Sequence, residues 1–562
     1  MPLLLTHIRP RAAQVSDVRL GGGEDWLQAL LPMRTSRIHG AIAIALIALA
    51  CGTTLWLGVP HAAIYGHDTI IILDGGWRVL NGQRPHVDFY SAFGPVPYLI
   101  AAAGLKLGGV RVEGLVYSTA AVGALMGLWA WALLRRRMRG WSALLALAFV
   151  VLFWLAPFPY GEPFYLTGYA MQYNRLGYVL TALVLLELFT HREGLRRQTN
   201  VDWGGLSTGI AVGLLCFLKI SFFFVACGLI AGAYLLKRKQ WTHLVAAVAG
   251  FALVTVPMLA YLHWDLAAML RDLALAAAAR QTRFLQGYDP FRTVFRNLGA
   301  VLGLLGLAFL ARRSGRQGVF GLASVAIAAD LLLAMSNTQR QGFPLSLVAT
   351  LILADRMCGG VSAVNRKGRQ GGAAIAALLA VLSMMPVLAD TFNSWGIVLR
   401  SNVLHASGSH PAGFDAQPLA GLTMEAHDEP GVDPAAHNGA LYVASINDGL
   451  ELLRRASAPE DRIASLAFAN PFSYALLRPP PEGGSAFYAS GVNITATHAP
   501  SAARILGNAD VVMYPKDSHD DPEVGTLLDI VKPNLLRDYN IAAESAHWSL
   551  WRKKTWRRNE SH

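Results

Sequence analysis

From Ile38 to Val59 the chain carries no Asp, Glu, Lys or Arg, and the same holds for Trp141–Phe158, Trp241–Tyr261 and Gly371–Ala389. Each run is close to the ~20 residues a helix needs to cross a ~30 Å hydrocarbon layer. That layer offers no water to backbone N–H and C=O groups, so a crossing segment must satisfy them internally, as a helix does. Charged residues make up 15% of the 562 positions and the mean hydropathy is +0.38, against about 25% charged residues in soluble domains. These runs exclude a wholly soluble protein.

The net charge of +12 does not indicate nucleic acid, because the cations sit in short clusters between apolar runs and build no basic groove. The clusters are Arg34/Arg37, Arg135–Arg139, His191–Arg197, Lys237–Lys239, Arg312–Arg316 and Arg356–Arg369. Cytoplasmic loops of membrane proteins collect such clusters. Placing all six inside predicts about eleven spans of membrane-crossing length. They fall near 38–59, 113–134, 141–158, 176–190, 204–218, 220–236, 241–261, 293–311, 318–335, 343–357 and 371–391. Consecutive clusters are then separated by an even number of crossings, and everything after about 392 lies outside. The apolar stretch Pro95–Gly109 would break this pattern if it crossed. It is expected to be a re-entrant or interface-lying piece of a large first external loop, 60–112.

The expected class is an α-helical polytopic membrane protein with a C-terminal α/β soluble domain. Residues 1–37 read as a cytoplasmic tail, because Arg9, Arg11 and Arg19 precede Gly21–Gly23 and the first apolar run starts only near Ile38. The transmembrane domain is placed at 38–391, a Gly/His/Pro-rich linker at 392–440 and a periplasmic domain at 441–562. Within that domain Asp448–Arg455 looks helical, and Ile463–Phe468, Ala509–Tyr514 and Ser545–Trp551 look like strands. The four cysteines, Cys51, Cys216, Cys227 and Cys358, lie in or beside apolar segments. The C-terminal domain therefore has no disulfide framework. No Cys/His spacing suggests a metal; no cofactor is expected, and a divalent ion is left open.

The first external loop holds the densest chemistry. His67-Asp68-Thr69 opens a helical pattern in which Ile70, Leu73, Trp77 and Leu80 form one apolar stripe. Asp68 points away from the stripe and Asp74 lies nearer its edge. A helix lying on the membrane surface would bury the stripe and leave the Asp68 carboxylate free. The chain continues as LNGQRPHVDFYSAFGPVPYL from Leu80 to Leu99.

This stretch resembles the first lumenal loop of the GT-C glycosyltransferases, multispan enzymes that take a sugar from a polyprenyl-phosphate carrier. It is nearest to the branch holding the bacterial protein O-mannosyltransferases and the lipid A aminoarabinose transferases. Asp68, Gly82, Asp88-Phe89 and Gly94-Pro95 match that pattern over about 45 residues. The chain departs from it at His67-Asp68-Thr69, where Asp-Glu is common, and at His86, where an aromatic residue is usual. The resemblance implies inverting transfer to a lipid, glycan or protein acceptor, at the periplasmic face of a bacterial inner membrane.

The chemistry has its own requirements. A carboxylate must take the acceptor proton and cations must steady the departing phosphate, both at external helix ends where a lipid phosphate sits. Asp68 and Asp88 are the candidate bases; a solvated loop carboxylate or a helix cap is the alternative for each. Lys219 interrupts an apolar stretch and falls at an external hairpin tip, where it could meet the phosphate or merely snorkel. His67, Asn174, Arg175 and Arg340 are further candidate substrate contacts, with Arg280 and Arg283 as additional cations. Tyr160, Tyr169 and Tyr173 suit sugar binding and equally an interfacial aromatic belt. Competing functions are an O-antigen ligase or polymerase, which typically has its large external loop between two late spans, and a glycolipid transporter or flippase. The latter would place ionisable residues such as Asp330 and Asp355 within its spans and show repeated halves. No such repeat is evident.

Overall fold

The computed structural model describes residues 37–61, 67–158, 160–161, 169, 171–190, 202–236, 239–287, 290–336, 342–358, 367–402, 411–424, 439–516 and 522–554. Its membrane-embedded part is helical. In chain order the helices are α1 (Arg37–Leu57), α2 (His67–Leu80), α3 (Val96–Leu107), α4 (Gly114–Leu134), α5 (Gly140–Leu155), α6 (Gln172–Phe189) and α7 (Trp203–Leu218). There follow α8 (Ile220–Leu235), α9 (Trp241–Tyr261), α10 (Leu266–Gly287), α11 (Pro290–Arg296), α12 (Leu298–Arg313), α13 (Val319–Ser336), α14 (Pro344–Cys358) and α15 (Lys367–Asn402). Among the described residues, α1, α4, α9, α13 and the Ala373–Arg400 part of α15 are long and apolar enough to cross a membrane. Helix α3 is apolar but has only 12 residues, a length of ~18 Å that falls short of the hydrocarbon thickness. It packs between α2 and α4.

Helix α6 orders the two ends of this bundle. Near its C-terminal end the buried Glu187 receives Arg137 at 2.5 Å and Lys239 at 3.0 Å. Beside it Arg356 donates to the Phe189 carbonyl, and the Arg139 backbone N–H donates to Asp355 at 3.1 Å. Three of the six basic clusters therefore meet at one end. Asn174, 13 residues earlier on α6, lies ~20 Å away at the other end.

The C-terminal domain carries a four-stranded sheet of order β3-β4-β6-β5, with a small β1/β2 pair before it. Strand β1 is Ala412–Gly413, β2 is Thr423–Met424, β3 is Ile463–Ser465, β4 is Val511–Pro515, β5 is Tyr539–Glu544 and β6 is Trp548–Lys553. β3 and β4 run parallel and the other pairs are antiparallel. Helices α16 (Gly439–Ala456), α17 (Phe472–Ala475), α18 (Ala502–Leu506) and α19 (Pro522–Asp538) accompany the sheet.

Two features differ from the sequence reading. First, α2 does not lie on a surface with one face wet. Ile70 and Leu73 of the stripe are buried, and so are Ile71, Ile72, Asp74 and Arg78 on its other sides. The cause is a common core: α2 and α3 pack with Ile446, Leu450 and Phe472 of the C-terminal domain. Second, α15 continues past 391 to Asn402, whose side chain donates to the carbonyls of Leu57 and Val59 at the end of α1. In the Gly/His/Pro-rich stretch, Phe414, Leu419, Leu422 and Met424 are buried in the same core.

Candidate active site

The loop after α2 owes its path to its glycine and to buried charges. Gly82 has φ +84°, a left-handed conformation that ends the helix at little cost only with glycine. Arg78 pairs with Asp74 at 2.8 Å, with both side chains essentially excluded from solvent. Its Nη1 reaches Gln83 and the carbonyls of Pro481 and Gly483. Asp74, expected near the edge of the stripe, is thus half of a buried ion pair that docks the C-terminal domain. Burial raises its carboxyl pKa and Arg78 opposes that.

His86 and Ser91 extend this docking to α10. Asp272, fully buried, accepts from the Ser91 N–H at 3.2 Å, lies 3.2 Å from His86 Nδ1 and receives Arg504 of the C-terminal domain at 2.6 Å. His86 itself has φ +71°, a strained setting for a non-glycine residue. Helix α10 is fixed in this way, and with it Arg280, about two turns beyond Asp272.

Gly94 joins the loop to the Lys219 hairpin. Its N–H donates to the Leu218 carbonyl at 3.1 Å, and a Cβ placed there would lie 2.0 Å from the Phe217 carbonyl oxygen. Only glycine allows this approach, immediately before Lys219. Lys219 separates α7 from α8. Its ammonium donates to Asn174 Oδ1 at 3.2 Å and lies 5.1 Å from the centre of the Tyr173 ring. Arg280 is within electrostatic reach of Lys219, and the Tyr173 hydroxyl is within reach of both Arg280 and Asp68. Asn174 and Lys219 therefore meet beside Tyr173, and Asp68 and Arg280 lie within electrostatic reach of its hydroxyl.

Asp68 lies in the first turn of α2, with about 20% of its side chain exposed. Its Oδ1 is 3.7 Å from His67 Nε2. Burial pushes the Asp68 carboxyl up to about 7. The His67 ring meets Phe468 edge-on, with centroids 4.6 Å apart, and Tyr442 at 5.8 Å. Both partners belong to the C-terminal domain. Asp68 also raises the pKa of the Tyr442 hydroxyl, behind the larger effect of burial. Phe468 and Tyr442 had no signal in the sequence, because they lie some 370–400 positions from Asp68.

Other expected residues lie elsewhere. Asp88 closes its own loop, accepting from the Arg84 N–H at 2.7 Å and Nε at 3.0 Å. Arg175 is buried, pairs with Asp390 of α15 at 2.8 Å, and donates to the Phe153 and Phe158 carbonyls. It braces helices and does not present a free cation. Arg340, the Arg283 side chain and residues 162–168 of the second external loop lie outside the described residues. Asp330 accepts from the N–H groups of Leu345 and Ser346, capping α14. Among the described residues no group of three His, Cys, Asp or Glu is placed to hold a metal.

An apolar cleft borders this locality. Ile72, Pro97, Leu115, Trp154, Leu176 and Leu218 contribute to its walls, together with Tyr173. It thus runs from α2 into the bundle beside the residue preceding Lys219.

No family model matches the sequence, and no curated protein matches it. Among solved structures, the chain is similar to ArnT from Cupriavidus metallidurans bound to undecaprenyl phosphate, with 14% identity and a TM-score of 0.47 over 94% of this chain and 98% of that one. It is also similar to the same protein in the apo state, with 15% identity and a TM-score of 0.46 over 92% and 97%.

Proposed function

We propose that this membrane protein is a glycosyltransferase that moves a sugar from a polyprenyl-phosphate carrier to an acceptor hydroxyl on the periplasmic side of a bacterial inner membrane. The observation that carries the reading is the placing of Lys219 against the Tyr173 ring with Asp68 in electrostatic reach of the same residue's hydroxyl. This locality lies beside an apolar cleft, at the bundle end opposite the Glu187 charge cluster. The resemblance of the first loop to the GT-C enzymes points the same way.

In the proposed reaction the isoprene units next to the phosphate lie against the cleft and the phosphate meets Lys219 and Arg280. The Asp68 carboxylate takes the acceptor hydroxyl proton as that oxygen bonds to the anomeric carbon. The bond from that carbon to the phosphate oxygen breaks, and its electron pair leaves on the polyprenyl phosphate. Attack opposite the leaving group inverts the anomeric centre. A carboxyl near 7 suits this role, since a general base works best when its pKa is near the working pH. Asn174 holds the Lys219 ammonium in place. Asp330 and Asp355, the ionisable residues a transporter would use within its spans, accept hydrogen bonds from backbone N–H groups.

The test is binding of undecaprenyl phosphate against undecaprenol, by the full chain in nanodiscs. The wild type should prefer the phosphate. Lys219→Met should cut that preference roughly 10- to 100-fold, the worth of a charge-assisted contact at 1.5–3 kcal/mol. Equal binding of both lipids by the wild type, or an unchanged preference in the variant, would overturn the assignment.

A further inference from the structure

We propose that Phe468 and Tyr442 of the C-terminal domain, together with His67, form an aromatic wall that receives the sugar ring of a glycan acceptor beside Asp68. The inference rests on the carrier reading above and adds the acceptor's chemical class to it.

The argument begins with the order of groups along the site. An aromatic chain connects its two ends: His67 to Phe468 at 4.6 Å, Phe468 to Phe487 at 6.1 Å, Phe487 to Phe93 at 5.9 Å and Phe93 to Tyr173 at 4.7 Å between centroids. Lys219 then caps the Tyr173 ring. The cationic end suits the phosphate. In a displacement the incoming oxygen approaches opposite the phosphate, so the acceptor occupies the other end, where Asp68 waits for its proton. The rings at that end are His67, Tyr442 and Phe468.

Their exposure separates wall from core. Phe487 and Phe93 are buried, whereas His67, Tyr442 and Phe468 each keep part of their surface in solvent. Phe414 backs Tyr442 at 6.4 Å, and Phe468 is backed by Phe487. Phe468 and Tyr442 stand at 76° and 55° to the His67 ring, so the three make an angled apolar wall beside Asp68. A pyranose has an apolar face, made of its axial C–H groups, and hydroxyls around its rim. Asp68, one-fifth exposed, can accept from one of those hydroxyls. A seryl or threonyl side chain has no matching face.

The inference also explains why the first loop and the C-terminal domain share one core. The domain supplies part of the site wall. The Arg78 contacts to Pro481 and Gly483 fix it there.

The experiment uses the full chain in nanodiscs without carrier lipid. Methyl α-glucoside, methyl α-galactoside, methyl α-mannoside and the tripeptide Gly-Thr-Gly are compared by saturation-transfer difference NMR. At least one glycoside should be saturated, most strongly at its axial C–H protons, and the tripeptide should not. Phe468→Leu and Tyr442→Leu keep apolar bulk but remove the ring, and should weaken that binding roughly three- to tenfold, the worth of one aromatic contact. Phe468→Tyr should retain it. The proposal is overturned if no glycoside is saturated, if both Leu variants bind like the wild type, or if the tripeptide is saturated instead. Because no carrier is present, these outcomes are separate from the Lys219→Met lipid test. A failure there with a Phe468-dependent glycoside signal would remove the carrier and leave the sugar site.

Discussion

Replacing Asp68 by Asn should abolish transfer and at the same time stabilise the fold at neutral pH. Both effects come from placing a carboxylate where water is scarce. Burial moves the Asp68 carboxyl from its ordinary 3.8 to about 7. The neutral acid is therefore the form the folded protein favours. The stability tied to it is fully present below the unfolded value near 3.8 and is lost as pH rises to about 7. At ~1.4 kcal/mol for each tenfold change in proton activity, the ionised group costs the fold at most about 4 kcal/mol. One-fifth of the side chain reaches solvent, which lowers this to about 2–3 kcal/mol. Asn keeps the shape and never ionises, so this cost disappears. Scaled to a chain of 562 residues, the gain is a rise in Tm of ~2–3 °C above pH 7. Thermal unfolding in nanodiscs at pH 5, 6, 7 and 8 reads it directly. The difference between variant and wild type should grow across this series and then level off. Transfer should fall by about 10²–10⁴ on loss of the base. Parallel wild-type and variant curves across the series would refute the burial argument. Near-normal transfer by Asp68→Asn would refute its role as base.

Two structural predictions concern how the site is held. Asp74→Asn leaves the Arg78 guanidinium buried without its carboxylate, and breaking such a pair costs about 3–5 kcal/mol. Urea titration followed by Trp fluorescence should show the C-terminal domain detaching at lower denaturant, whereas the exposed pair at Arg454–Glu451 should tolerate removal. Gly94→Ala would force a Cβ against the Phe217 carbonyl and should cost about 1–3 kcal/mol by overpacking. By shifting the loop from the Lys219 hairpin it should also weaken undecaprenyl phosphate binding, and normal binding by this variant would show that the contact does not position Lys219.

How much of this was legible in the sequence depends on the range of the forces involved. The helices announced themselves because a hydrocarbon layer acts on every residue of a span. The predicted spans at 113–134, 204–218 and 241–261 lie within a residue of α4, α7 and α9. Buried β3 and β4 were readable from their apolar runs. β5 was not, because four of its six residues are exposed and it is paired on one side only. Lys219 was singled out because a cation is costly in an apolar stretch. Arg175 and Asp88 attracted attention for similar reasons, yet Asp390 and Arg84 already pair with them. A single sequence does not show which charge is spent on its neighbour.

The C-terminal domain marks the sharper boundary. Its contribution to the Asp68 locality comes from rings on α16 and on the segment after β3, brought in by a core shared with α2. Nothing local to Tyr442 or Phe468 encodes that approach. It follows from the buried charges of α2: Arg78 finds the Pro481 and Gly483 carbonyls only when the domain sits against the first loop. Arg504 likewise meets Asp272 only in that arrangement. Each pair would carry a desolvation cost with the domain away and its partner missing. The polar contacts that hold the domain down are thus the ones that make Asp68 scarce in water. Docking and the raised Asp68 carboxyl are two consequences of one interface. Loosening the domain at Asp74 or Arg504 should therefore also let water in and lower the pH at which Asp68 ionises.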